Sequence, residues 1–178
     1  MANTLLWPAA SMAAVLSLTA CGGGTATPTG PSSNPVSAQV VSVSPAGGAA
    51  AVSTSASVVV TFSRPMHAAA ASYLTLHSGS LSGPTVAGRG MWSGDSTQFT
   101  FAPDSMMAAR ATYVLHMGGA MLDAAGDTVS LTRCAQFGGQ AATAGMMSGG
   151  MMGGSEMGPG WQTPGTNTYG MTFTFTTQ

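Results

Sequence analysis

Ser57-Val58-Val59-Val60-Thr61-Phe62-Ser63 is the stretch on which the reading of the fold turns. Its valines and threonine are branched at Cβ and its phenylalanine is aromatic, side chains that suit a pleated surface and lose rotamer freedom in a helix. Successive side chains of a strand point to opposite faces, so Val58, Val60 and Phe62 share one face. A strand is predicted here with that face turned to a core, and Pro65 ends it because it has no N–H to give to a ladder.

Outward from this strand the same texture repeats. Residues 40–43 form a first strand, stopped by the turn chemistry of Ser44-Pro45-Ala46-Gly47-Gly48. The alanine-rich residues 66–72 have room for one helical turn, after which Tyr73-Leu74-Thr75-Leu76-His77 returns to strand character. Further strands are predicted at 86–92, 98–101, 112–117 and 171–176. In the last of these Met171, Phe173 and Phe175 alternate with threonines, the pattern of a half-buried strand. About seven short strands separated by turns predict an all-β sandwich over residues 39–178.

Between Cys134 and Tyr169 the strand pattern stops. Met146-Met147-Ser148-Gly149-Gly150-Met151-Met152-Gly153-Gly154 and Glu156-Met157-Gly158-Pro159-Gly160-Trp161 are low in complexity and too rich in glycine to make a helix or strand unaided. A Met/Gly-rich insertion at about 135–169, ahead of the last strand, is therefore expected. Loops of this length in compact domains are either functional or unstructured.

The N-terminal part reads as targeting and linkage. An apolar run, Met12-Ala13-Ala14-Val15-Leu16-Ser17-Leu18, leads into Leu18-Thr19-Ala20-Cys21, which resembles the lipobox of bacterial lipoproteins. That resemblance implies a signal peptide over residues 1–20 and a lipid on Cys21, hence a membrane partner. The alternative is a plain secretory signal in which Cys21 plays no part. Gly22 in place of Asp at the next position points to the outer membrane or cell surface rather than inner-membrane retention. Residues 21–38, rich in Gly, Pro, Ser and Thr, hold almost nothing that can be buried and read as a flexible tether.

Only 5% of the 178 residues are charged, and the four arginines are scattered. Nucleic acid is excluded as a partner by this reading, since phosphate binding needs clustered positive charge. With two cysteines in the chain, Cys21 and Cys134, an acylated Cys21 leaves no internal disulfide and the fold must rest on packing.

Several blocks together resemble the SbsA-type bacterial Ig-like domain. They are Val43-Ser44-Pro45-Ala46-Gly47-Gly48-Ala49 with Val52, then Val58 through Ser63-Arg64-Pro65-Met66, then Phe99-Thr100-Phe101-Ala102-Pro103, Thr112-Tyr113, Asp123-Ala124-Ala125-Gly126-Asp127 and Phe173-Thr174-Phe175-Thr176-Thr177. The resemblance implies an immunoglobulin-like β-sandwich serving as a spacer or adhesive module of the cell envelope, without catalysis. His67 stands where that family has an acidic residue, Asp127 where it has Asn, and the Met/Gly-rich insertion is foreign to it. A weaker resemblance, to CopC-type periplasmic copper-binding proteins, lies in the Ser-x-Pro and Phe-Ser-x-Pro blocks and the methionine-rich loop.

The density of soft ligands is the most unusual feature: fourteen methionines, all but Met1 and Met12 beyond Cys21, and three histidines. Thioethers and thiolates select Cu(I) or similar ions, and imidazole also suits copper. Met146, Met147, Met151, Met152 and Met157, with Cys134, His116 and His67, form the candidate set for Cu(I) or Ag(I). Against it stand core roles for Met66, Met117 and Met171. His116, opposite the Tyr113-Leu115-Met117 face, is expected to be exposed. Asp123, Gly126 and Asp127 read as a tight turn rather than a Ca²⁺ site, which needs six to eight oxygens. No elbow or His-Glu-x-x-His pattern arranges catalytic groups, so no enzyme is expected.

Overall fold

In the computed structural model, residues 37–147, 158 and 160–178 are described. The signal, tether and Cys21 assignments, and Met151, Met152 and Met157, lie outside them. The described residues fall within one unit, Asn34–Gln178.

The strand read first is β2, Val58–Phe62, and its predicted inward face is buried: Val58, Val60 and Phe62 are each no more than 2% exposed. β1 (Val40–Ser44) pairs with it on one side and β5 (Gln98–Pro103) on the other, both antiparallel, with β4 (Gly88–Trp92) at the far edge. The second sheet is ordered β3 (Leu74–Ser78), β6 (Thr112–Met117), β8 (Thr168–Thr176), β7 (Gln140–Thr143), also antiparallel throughout.

One apolar cluster fills the space between the sheets. Val58, Val60 and Phe99 from the first meet Leu76, Phe173 and Phe175 from the second. Burying each of these side chains contributes roughly 1.5–3 kcal/mol, the main term holding the sheets face to face. Met66, Met117 and Met121 belong to the same core, and Met171 packs against it half-buried. Core packing thus accounts for Met117 and Met171, as their strand positions predicted, and for Met66, which follows Pro65 in the family's Pro-Met pair.

The expected helical turn is a 3-10 segment, Ala68–Tyr73, capped by His67, whose Nδ1 accepts from the N–H of Ala69 at 3.2 Å. The Asp123 turn also matches its reading. Asp123 Oδ1 accepts from the N–H groups of Ala125 and Asp127, both at 3.0 Å, and Gly126 takes a φ of 89°.

The insertion departs from expectation. It begins with a 3-10 segment, Cys134–Phe137, then forms a strand beyond the seven expected, β7, and a single helical turn, α1, at Ala144–Met147. Gln140-Ala141-Ala142-Thr143 has no β-signature of its own. It becomes a strand because the free edge of β8 offers unpaired N–H and C=O groups beside it, and Thr172 Oγ1 adds a bond to the carbonyl of Gln140.

Candidate functional site

An antiparallel sheet packed on one face is expected to be polar and wet on the other. The outer face of the second sheet is not. His77 on β3 and His116 on β6 are both 0% exposed there, and Val114 and Thr172 beside them are buried as well. His77 lies opposite Val114, and His116 opposite Thr75 on one side and Thr172 on the other. The two histidines therefore sit diagonally on neighbouring strands, with ring centroids 6.3 Å apart.

What covers them comes from distant parts of the chain. Trp161 lies over His116 with ring centroids 4.4 Å apart and meets Tyr73 edge-on at 5.7 Å. Its segment is tied down by the N–H groups of Gly119 and Ala120, which donate to the carbonyls of Trp161 and Gly160 at 2.9 Å. Farther along the face, Leu81, Val114 and Ala142 form a second small apolar cluster against Tyr169. A cavity of about 360 Å³ opens beside it, walled by Leu81, Val114, Thr172 and Met146 among others.

The expectation that His116 would be exposed is thus corrected. Strand alternation did place it opposite Tyr113, Leu115 and Met117, but the outer side of this sheet is roofed by Trp161. His116 Nε2 lies 2.6 Å from the carbonyl of Tyr169. A carbonyl only accepts, so Nε2 carries the proton and Nδ1 the lone pair. Nδ1 is buried with no hydrogen-bond partner among the described residues. Burial holds the ring well below the ordinary histidine value, at about 4, outweighing the opposing effect of the Tyr169 carbonyl; His77 nearby pushes the same way as burial.

This depression has a sign that can be tested. Between pH 6.5 and about 4 the unfolded chain takes up a proton that folded His116 refuses, so stability should fall as the pH drops through that window, by roughly 3 kcal/mol in all. Urea midpoints measured at pH 7, 5.5 and 4.5 with a chelator present should show the slope, and His116→Gln should flatten it. An unchanged slope in the variant would assign the effect elsewhere.

The other members of the candidate set are dispersed. Cys134 is wholly buried in the core between the sheets, and burial pushes its thiol up to about 12, so it stays protonated at neutral pH rather than becoming a metal-binding thiolate. The second sheet separates it from His116. His67 is exposed and engaged as a cap. Met146 is 45% exposed on the wall of the cavity, and Met147 follows it at the end of α1. The Met106-Met107 pair splits, Met106 standing in solvent and Met107 in the core. Among the described residues no three His, Cys, Asp or Glu side chains gather as metal ligands would. His77 was missed by the sequence reading. The available signal was its position opposite the Leu74-Leu76 face, which puts it on the same side as His116 once β3 and β6 are known to pair.

Solved structures resemble parts of the chain, each at a TM-score below 0.5. The surface layer protein SbsC, domains 1–6, is 20% identical over 55% of this chain and 13% of that one, at a TM-score of 0.39. L,D-transpeptidase 1 of Mycobacterium tuberculosis is 23% identical over 47% of this chain and 36% of that one, at 0.37. An L,D-transpeptidase from Mycobacterium smegmatis is 29% identical over 48% and 37%, at 0.38. This chain thus spans well under half the length of each. No curated protein matches it. Residues 34–137, more than half of the chain and carrying β1 to β6, match the bacterial Ig-like domain, and the chain belongs to that family.

Proposed function

We propose that this protein is an exported, lipid-anchored Ig-like module of the bacterial cell envelope that acts as a non-catalytic spacer or adhesive unit. The observation that carries the reading is a sandwich of the bacterial Ig-like family standing C-terminal to a lipobox-like Leu18-Thr19-Ala20-Cys21 and a Pro/Gly/Ser-rich tether. A tether of this composition lets a folded body stand off from the membrane without ordering the link. The anchor at Cys21 places the module on the outer membrane or cell surface. Expression with a fatty-acid probe should label the chain and send it to the membrane fraction, and Cys21→Ala should lose both. Equal labelling of the variant would remove the anchor from the proposal.

A second reading, binding of Cu(I) or Ag(I), is favoured by one specific observation. The residues on both sides of 148–157, Met146 before it and Trp161 after it, lie on the outer face of the second sheet, where His116 is buried with an unpartnered nitrogen. Met146, Met147, Met151, Met152 and Met157 are then the thioether donors. Cu(I) titration against a competing chelator should show tight binding that a chain lacking residues 144–158 has lost or weakened.

A further inference from the structure

We infer that His77 and His116 together form a nitrogen-donor site for a soft monovalent metal ion on the outer face of the second sheet. The inference rests on the second reading above and gives it a ligand set within the folded body.

The hydrogen bonds fix both rings in the tautomer that such a site needs. His116 donates through Nε2 to the Tyr169 carbonyl at 2.6 Å, leaving its lone pair on Nδ1. His77 donates through Nδ1 to the Gly83 carbonyl at 3.2 Å, leaving the lone pair of that ring on Nε2. Metal-binding histidines are oriented in this way, the second ring nitrogen donating to a carbonyl or carboxylate. Two imidazoles that share one ion through bonds of about 2.0 Å have ring centres about 6 Å apart when the bonds lie near a straight line. The observed separation is 6.3 Å. A buried nitrogen without a partner costs roughly 1–3 kcal/mol, which an ion bound at His116 Nδ1 would offset.

The surroundings decide the class of ion. Around the pair lie Trp161, Val114, Thr75 and Thr172, all uncharged. The titratable groups around the pair are the two imidazoles themselves, Tyr73, which meets Trp161, and Tyr169, which packs against the Val114 cluster, and neither tyrosine is a carboxylate or thiolate. Without a carboxylate or thiolate to neutralise it, a bound ion keeps its full charge in a place of low polarity. The cost of desolvating an ion grows with the square of its charge, so a divalent ion is penalised about fourfold more than a monovalent one. Imidazole nitrogen with a neighbouring thioether selects Cu(I) or Ag(I). Met146, on the cavity wall with Val114 and Thr172, is the described thioether on that face.

The test uses Ag(I), which needs no protection from oxidation, on the full chain labelled with ¹⁵N at histidine. One equivalent should shift the resonances of His116 Nδ1 and His77 Nε2 while leaving those of His67 in place. His77→Gln and His116→Gln should each weaken binding at least tenfold in competition with a chelator. In the chain lacking residues 144–158 the two imidazole shifts should persist. Binding of Ag(I) without any imidazole shift in the unaltered chain would overturn the histidine site while leaving a methionine site standing. No binding at all would overturn both.

Discussion

Asp123→Ala should lower the stability of the domain by about 3–5 kcal/mol, a large part of the roughly 5–15 kcal/mol that a domain of this kind possesses. The side chain is 1% exposed. Its Oδ1 accepts from the N–H groups of Ala125 and Asp127, and Oδ2 from that of Ala38 at 3.3 Å, across 85 residues of sequence. Alanine leaves these donors facing a gap, and a hydrogen bond to a charged acceptor is worth about 1.5–3 kcal/mol. The bond to Ala38 also fastens the start of β1, so the damage should spread to the edge of the first sheet. Asp123→Asn keeps an oxygen for the two turn donors but presents an NH₂ to Ala38, and should fall in between. Urea unfolding of the three proteins measures the series. A loss below 1 kcal/mol for the alanine variant would mean that the turn holds without its carboxylate.

Gly170→Ala is the second large effect expected, at 3 kcal/mol or more by the sum of about 1–2 kcal/mol for a left-handed alanine and a backbone collision. Gly170 sits in β8 with φ at 81°, and a Cβ there would run into the carbonyl oxygen of Met117, with the Cα and carbonyl carbon of Gly118 at 2.9 Å. Backbone cannot move aside as a flexible side chain can. The same substitution at Gly165, where φ is 74° but nothing lies within 4 Å, isolates the conformational part and should cost only about 1 kcal/mol. The Gly170 change also moves the neighbouring Tyr169 carbonyl, so the hydrogen bond to His116 should loosen and Trp161 fluorescence should change. Equal losses at the two glycines would remove the collision from the account.

Much of the sandwich is legible in the sequence. Period-two alternation put Val58, Val60 and Phe62 inward, and Phe173 and Phe175 likewise, because one buried face imposes that pattern on any strand that carries it. The Asp123-x-x-Gly126 turn was legible for a local reason, since its bonds join residues two and four apart. β7 was not legible. Gln140-Ala141-Ala142-Thr143 takes its conformation from the edge it completes, and no local preference announces it.

The candidate site divides in the same way. By itself the sequence determined the class of fold, the inward faces of the strands and the supply of soft ligands. Alternation also placed His116 on the face away from the core. Only the tertiary structure decided that β3 lies beside β6, which brings the rings of His77 and His116 within 6.3 Å, and that Trp161 roofs His116. It also sent Cys134 into the core and His67 to a helix cap. The reason is one of range. Alternation and turn chemistry act over a few residues, whereas pairing and burial depend on segments 39 residues apart for the histidines and 45 for His116 and Trp161, and no local pattern encodes which distant segment will arrive.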